Sequence, residues 1–296
     1  MKLNPRVDFA FKKIFGSEEN KDLLHSLLNS IVPPEDQVKS LTLLNPYTEK
    51  SYMQDKLSIL DIRAIDQKGR PLCIEMQVTD QLHYEKRALF LWSKVYSEQL
   101  RMGDPYSTLK KTIGIHLLNF NLMDEPGFHN VYAVMNQKSH KRQFADFQLH
   151  VVELEKFDQH KTAKTALDRW VTFLTKAHEI TSKRMPQPLA SDSSIKRAME
   201  VLETLHLSEE ERKVYDGQQT WLRDEAAAIE KAEFKAEARG KAEGLLEGEA
   251  RGKAEGKAEA LAVMVLGMNA QNIPLAVIQK VTGLSASEVK TILKKK

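Results

Sequence analysis

Two carboxylates and one amide oxygen, those of Asp61, Glu75 and Gln77, have the chemical types and the spacing to bind a metal ion. Asp61 lies in the first of two segments in which apolar residues alternate with polar ones, and Glu75 and Gln77 lie in the second. Alternation of this kind predicts two β-strands. The residues Gln67-Lys68-Gly69 between them suit a tight turn whose glycine adopts the left-handed conformation. The pattern therefore predicts a hairpin that carries all three polar side chains.

The turn also predicts how the two strands pair. It places Ile62 opposite Ile74, and therefore Asp61 opposite Glu75, with both apolar sets on one face. The Cβ atoms of directly paired residues lie roughly 4.5–5.5 Å apart, and carboxylates that close repel unless a proton or a cation lies between them. A hard divalent ion such as Mg²⁺ prefers oxygen ligands and usually retains several waters. The alternative is that Asp61 and Glu75 are ordinary solvent-facing strand residues.

Several stretches together resemble those of a known nuclease family. They are DFAFKKIFG (8–16), LLNSIV (27–32), LDIRAIDQKGRPLCIEMQV (60–78), KR (86–87) and YSEQLRMGDPYSTLKKTIGIHLLNF (96–120). An aspartate followed about fourteen residues later by Glu-x-Gln within a hairpin is similar to the PD-(D/E)xK nuclease core. More closely, the chain resembles the recombination-promoting nuclease (Rpn)/transposase family over roughly residues 4–135, with a helical tail of the kind that this family carries.

The resemblance implies a Mg²⁺-dependent DNA endonuclease, with other divalent cations as alternatives, that promotes recombination or transposon-like DNA rearrangement. Asp61 and Glu75 would bind the metal, and Gln77 would complete the catalytic set. Gln77 is a departure from the wider superfamily, which usually has lysine at this position, because glutamine has no positive charge with which to activate water. Lys56 is a candidate substitute, and the alternative is a solvated lysine at the edge of a strand.

Two further residues are candidates for the site. Asp8 lies on a helix predicted over residues 4–15, and nucleases of this superfamily often place an acidic residue on their first helix. The alternative is that its charge only favours the start of that helix through the macrodipole. Arg87 lies on a helix predicted over residues 81–102 and is a candidate DNA-binding residue, because a guanidinium group binds phosphate as a fork. An ion pair with a neighbouring acid is the alternative for Arg87.

The predicted order of elements is helix, three strands, helix and strand, which is the order of the PD-(D/E)xK core. Besides the hairpin, strands are predicted over residues 38–44 and 111–120. Two more, over 129–136 and 147–154, are expected to extend the sheet. The expected fold is α/β: a restriction-endonuclease-like αβββαβ core with a mixed sheet flanked by helices, followed by a helical C-terminal tail.

Composition divides the chain into three regions. They are a nuclease-like domain over 1–184, a helical linker region over 185–236, and a repeat helix with a terminal helical pair over 237–296. The repeat places glycine at every fourth position from 240 to 256, and these five glycines cost a helix roughly 4–5 kcal/mol relative to alanine. The row favours close helix approach, in a homo-oligomer or a hairpin, or else a hinge that often melts. The terminal turn TGLSASE resembles a helix-turn-helix, with a packing or oligomerisation unit as the alternative.

Composition also restricts the class of protein. The chain has 296 residues, 42 % of them hydrophobic, and a net charge of +3, which permits DNA as a partner without requiring it. Cys73 is the single cysteine, so intrachain disulfides and cysteine-rich zinc modules are excluded. The chain has no apparent signal peptide and no apolar run of membrane-spanning length, which predicts a cytoplasmic protein with no membrane partner. The nine histidines are scattered, and each is predicted to lie at the surface or to cap a helix.

A second interpretation belongs to another class of function. It is a catalytically inactive, oligomeric DNA-binding or regulatory protein that retains the nuclease fold, and Gln77 together with the modest net charge favours it. The pair Asp61 and Glu75 argues against it, because an inactive site has no physical reason to retain two carboxylates that repel. A third interpretation, an assembly scaffold, would depend on residues 237–296.

Overall fold

The computed structural model describes residues 3–44, 62–157 and 163–294. Within them the chain forms two compact units, Met1–Ala226 and Ala227–Lys296. Lys56 and Asp61 lie outside the described residues, so the roles predicted for these two residues stay predictions. No helix in the described ranges is both long enough and apolar enough to cross a membrane.

The first unit begins with two amphipathic helices, α1 over Asp8–Phe15 and α2 over Lys21–Ile31. Helix α1 begins later than predicted because the residues before Asp8 form a turn instead. It ends at Gly16, as the sequence predicts, and the N–H of this glycine donates to the carbonyl oxygen of Lys12. Both helices bury their apolar faces in one large core under the sheet.

A mixed sheet of six strands forms the centre of the unit, in the order β1-β2-β3-β4-β6-β5. Strand β3 pairs antiparallel with β2 and parallel with β4, which is in turn parallel to β6. Ile62 lies opposite Ile74 and Gly69 has a φ of +73°, so the predicted register and turn are confirmed. The strands are Leu41–Leu43 (β1), Ile62–Asp66 (β2), Pro71–Gln77 (β3), Thr112–Leu118 (β4), His129–Tyr132 (β5) and Phe147–Glu153 (β6).

Helices cover both faces of this sheet. Helix α3, over Tyr84–Ser97, connects β3 to β4 and packs Leu91 and Val95 against Cys73. The opposite face carries α1 and α2 together with α4 (Ala166–Lys176), α5 (Gln187–Ala190) and α6 (Ser193–Thr204). This architecture is the predicted restriction-endonuclease-like fold, with the predicted order of elements.

The compact unit extends beyond residue 184. Leu189 on α5 and Ile195 and Met199 on α6 are buried in the same core as α1 and α2. Residues 185–204 therefore contribute to the packing of the first unit, although their composition indicates a linker. Where the functional domains begin and end stays a prediction.

A buried network of charges fixes the turn of the β2–β3 hairpin. The Arg70 Nε atom donates to Asp66 Oδ2 at 2.7 Å, and its Nη1 atom donates to Asp36 Oδ1 at 2.6 Å. Lys111 also donates to Asp36. Burial raises the pKa of Asp36, but the bonds and charges of Lys111 and Arg70 outweigh burial and hold it below its ordinary value. The turn end of the hairpin that carries Glu75 is thus held by the ion pair of Arg70 with Asp36, which Lys111 also contacts.

Two histidines contradict the prediction that all nine lie at the surface or cap helices. His116 on β4 and His150 on β6 are fully buried. His150 Nε2 accepts a hydrogen bond from the Gln148 amide at 2.8 Å, so its Nδ1 carries the proton and donates to His129 Nε2 at 3.0 Å. Burial, followed by the charge of His129, lowers the pKa of His150 to about 3, which agrees with a neutral ring.

The second unit contains the later part of helix α7, whose full range is Glu209–Ala270, followed by α8 (Leu275–Thr282) and α9 (Ala286–Lys294). Val265, Ile278 and Val289 form its buried core, one residue from each helix. The glycine repeat is helical throughout, and nothing lies within 4 Å of the place where a Cβ atom would stand on any glycine from 240 to 256.

Candidate functional site

A cavity of about 270 Å³ lies at the carboxyl end of β3, within the first unit. Three elements far apart in sequence form its walls: α1, the end of β3 with the residues that lead into α3, and the first part of α7. Ligand sites in open α/β sheets commonly lie at the carboxyl ends of parallel strands. The polar side chains that line the cavity are Asp8, Lys12, Glu75, Gln77, Thr79, Gln81, Arg87 and Gln218.

Glu75 is the most buried of these polar groups, with 2 % of its surface exposed. It lies two residues before the end of β3 and pairs with His116 of β4. Burial, and then the charge of Glu75, raises the pKa of the Cys73 thiol to about 12, since Cys73 lies two residues before Glu75 on the same strand face. Cys73 is therefore a protonated core residue and has no thiolate with which to act as a nucleophile.

Gln77 shares the strand face of Glu75 because side chains alternate along a strand. Its amide nitrogen donates to the carbonyl oxygen of Thr79 at 3.3 Å. This bond uses the nitrogen end of the amide and leaves the oxygen end as the atom with which Gln77 can bind a cation. The structure therefore brings two of the three predicted catalytic residues together at one wall of the cavity.

Asp8 and Lys12 enter the same cavity from α1. They lie one helical turn apart, and the Lys12 Nζ atom is 3.3 Å from Asp8 Oδ1. Gln218 donates to Asp8 Oδ2 at 3.2 Å from the opposite wall. Asp8 is also the first residue of α1, where its charge favours the helix start, and it lines the cavity; its role as an accessory acid stays a prediction.

Arg87 lies in the first turn of α3 and lines the cavity. Within the described residues it makes no ion pair, and its Nε atom has no hydrogen-bond partner. The alternative, an ion pair between Arg87 and a neighbouring acid, is therefore not supported by those residues. A partly buried guanidinium group facing a cavity is suited to bind an anionic ligand there.

His116 is a member of this region that sequence reasoning missed. Its ring is fully buried, and Nδ1 lies 2.9 Å from the hydroxyl oxygen of Tyr84 on α3. In the part of the chain that the structure describes, Nε2 has no hydrogen-bond partner. Burial, and then the charge of Arg87, lowers the pKa of His116 to about 3. The ring is thus a neutral neighbour of Glu75.

Sequence reasoning also missed Gln218 and Trp221, because no local pattern indicates that they belong to the site. Both lie on α7, and Gln218 comes 210 residues after Asp8. They reach the cavity only because α7 packs on α1. The i, i+4 spacing of Asp8 and Lys12 is the one sequence signal that connects a further residue to this site.

The donor atoms of the cavity are of the type that Mg²⁺ prefers. Glu75 and Asp8 offer carboxylate oxygens and Gln77 an amide oxygen. Across residues 3–44, 62–157 and 163–294, however, no group of three or more His, Cys, Asp or Glu residues is placed to hold a metal ion. The chemistry of these oxygen donors fits a divalent ion, and Asp61, the other predicted metal ligand, lies outside the described residues.

A mixed sheet with helices on both faces and acidic residues at one strand end defines a protein of the restriction-endonuclease-like class. The chain belongs to the PD-(D/E)XK nuclease family transposases, whose family model matches residues 5–232. This confirms the resemblance and supports a nuclease or transposase-like function. No curated protein and no solved structure shows significant similarity to the chain. Nucleases of the PD-(D/E)XK type usually use divalent metal ions and act on DNA.

Proposed function

We propose that the protein is a metal-dependent DNA endonuclease whose cuts promote recombination or transposon-like DNA rearrangement. The observation that carries the proposal is the cavity at the end of β3. It combines Glu75 and Gln77, which the sequence pattern selects, with a carboxylate from α1 and with the cations Lys12 and Arg87. Hydrolysis of a phosphodiester uses both carboxylates and cations. Carboxylates hold the metal ion, and cations stabilise the negative charge that develops on the phosphate as water attacks.

Glu75 and Asp61 would hold the divalent ion, Mg²⁺ or another cation of similar preference, with the Gln77 oxygen in or beside its ligand shell and Asp8 as an accessory acid. When bound, such an ion stabilises the charge on phosphate and makes water easier to deprotonate. Lys56 remains the candidate for the lysine that Gln77 replaces.

The protein's own cations would position the DNA backbone. Arg87 is suited to bind a phosphate group with two parallel hydrogen bonds, because its guanidinium group faces the cavity without an acidic partner among the described residues. Lys12 adds a second positive charge, and its contact with Asp8 keeps the ammonium group on the cavity side of α1. Burial of Glu75 excludes water around its carboxylate and so strengthens its attraction for a cation.

Plasmid nicking by the purified chain tests the proposal. We expect cutting with Mg²⁺ and none with EDTA, and a loss of roughly 100-fold or more in Glu75→Gln, since loss of a metal ligand removes most metal-dependent activity. Asp61→Ala is expected to behave in the same way. Glu35→Gln is the matched control, because Glu35 is an exposed acid that does not line the cavity.

Other outcomes would change the assignment. Cutting that survives both Glu75→Gln and Asp61→Ala would show that the site is misplaced or that a contaminant cuts the DNA. An absence of cutting under all conditions, with DNA binding intact, would favour the catalytically inactive DNA-binding protein.

A further inference from the structure

The last two helices of the chain are joined by a short turn that is fixed from both sides. Helix α8 ends at Gly283, whose φ of +72° is left-handed and whose N–H donates to the Gln279 carbonyl oxygen at 2.9 Å. Helix α9 begins with a reciprocal cap: the Ser285 N–H donates to Glu288 Oε2 at 2.8 Å, and the Glu288 N–H donates to Ser285 Oγ at 3.3 Å. Two helices joined by a three-residue turn that contains glycine are typical of a helix-turn-helix.

The end of α7 supplies the third helix that such a motif needs. Val265, Ile278 and Val289 are buried together, and each comes from a different helix. Leu284 in the turn and Ile292 on α9 pack against this core. On sequence alone, the apparent lack of a third helix favours a packing unit. The structure removes this objection, because the three helices form one core of their own.

The outward face of α9 is polar and basic. Lys290 and Lys294 are exposed on it and Val289 faces the core, whereas Ser287 and Thr291 are at the rim of a groove between α9 and α7. Neither lysine forms an ion pair with any residue that the structure describes. From Leu275 to Lys296 the chain has five lysines and one glutamate, so this short segment carries more positive charge than the net +3 of the whole molecule. The glutamate, Glu288, is already engaged in capping α9.

We propose that α8, α9 and the end of α7 form a second DNA-binding site, separate from the cavity, in which α9 enters the major groove of duplex DNA. The groove is about 12 Å wide and admits one helix. Lys290 and Lys294 bind backbone phosphates. The inference shares with the proposed function the premise that DNA is the partner, but it does not depend on cleavage.

The test measures DNA binding by the full chain in EDTA, so that cutting plays no part. Fluorescence anisotropy with a labelled duplex of about 30 base pairs gives the affinity over a range of salt concentrations. In the double variant Lys290→Ala and Lys294→Ala we expect about 10-fold weaker binding and a salt slope smaller by roughly 2, because two phosphate contacts are lost. Alanine is compatible with an exposed helix position, and circular dichroism verifies the fold.

The matched control is Lys231→Ala with Lys235→Ala, which removes the same charge from exposed positions of α7. It is expected to leave the affinity and the salt slope nearly unchanged. Equal losses in both double variants would show that only net charge matters and would overturn the assignment, as would unchanged binding in both. If Mg²⁺-dependent nicking is absent but the Lys290 and Lys294 variant still binds DNA more weakly than the control, the second site stands and the nuclease proposal fails.

Discussion

The neutral state of His116 has a consequence for stability. Burial, with Arg87 next in importance, lowers the pKa of this histidine to about 3 in the folded protein, against an ordinary value of 6.5. Below pH 6.5 the unfolded chain binds a proton at this position and the folded protein does not. Because the unfolded state then binds more protons, the free energy of unfolding falls as the pH falls from 6.5 toward 3.

His116→Gln is expected to weaken this pH dependence. Glutamine can retain a hydrogen bond to Tyr84 but has no group that titrates in this range. Between pH 7 and pH 5 the original chain should lose about 2 kcal/mol of stability through His116, and the variant should lack that loss. Urea unfolding at the two pH values measures the difference. His206→Gln, at an exposed position, is the control, and an equal change in both variants would contradict the assignment to His116.

At the residue scale, strand periodicity makes part of the site predictable from the sequence. Glu75 and Gln77 share a face because strand side chains alternate, and Ile62 pairs with Ile74 because the turn fixes the register. His116 could not be predicted in this way. It lies in a strand covered on both faces, where periodicity does not separate inside from outside, and its partner Tyr84 comes from another element.

The glycine repeat of α7 is a long helix whose own sequence weakens it. Four exposed ion pairs lie along it: Glu237 with Lys241, Arg239 with Glu243, Glu249 with Lys253, and Arg251 with Glu255. Each such pair contributes about 0.2–0.5 kcal/mol, far less in total than the roughly 4–5 kcal/mol that five glycines cost. Residues 227–260 bury no side chain, so tertiary packing within the described chain does not offset that cost.

Replacing the glycines at 240, 244, 248, 252 and 256 with alanine is expected to stabilise this helix. Nothing lies within 4 Å of the new Cβ atoms, so propensity acts without a clash. The helical signal at 222 nm should melt at a higher temperature than in the original chain. Gly69→Ala is the contrasting control. The surroundings of Gly69 are equally open, but alanine at a φ of +73° should lower the free energy of unfolding by about 1 kcal/mol.

The same variant tests the expectation that the glycine row mediates self-association. If the glycines allow close approach of a second helix, alanine will separate the helices. Light scattering after size exclusion would then show a smaller species for the five-alanine variant. If the five-alanine variant is both less stable and dissociated, the expected stabilisation of the helix is contradicted. The glycine row would then lie in an interface between copies of the chain.

At the element scale, the existence and order of elements are predictable, and their ends less so. The helix predicted over 81–102 is α3, over Tyr84–Ser97. It begins later than predicted because His83 adopts the left-handed conformation, with a φ of 65°. The polar residues before the helix give no sign of this conformation. The hairpin turn was predictable since Gly69 is the residue type that this conformation favours.

At the scale of the whole molecule, the first part of α7 closes the nuclease unit. The buried Tyr215 accepts a hydrogen bond from the Asn4 N–H at 2.7 Å. Gln218 accepts one from the Phe9 N–H at 3.1 Å, and Glu211 forms an ion pair with Lys13. These contacts join segments about 200 residues apart, so no local pattern predicts them. They explain why the family match continues to residue 232, well beyond the last strand.

Two truncations test this closure. A chain that ends at Ala226 retains Tyr215 and Gln218, and we expect it to unfold at nearly the same urea concentration as the full chain. A chain that ends at Ser208 loses the buried Tyr215 ring and should be less stable by about 3–5 kcal/mol, the cost of removing a large buried aromatic side chain. Because Gln218 and Trp221 also line the cavity, the shorter chain should nick DNA more weakly than the longer one. Equal stability of the two truncated chains would show that α7 only rests on the unit, whereas a weaker 1–226 chain would show that the second unit stabilises the first.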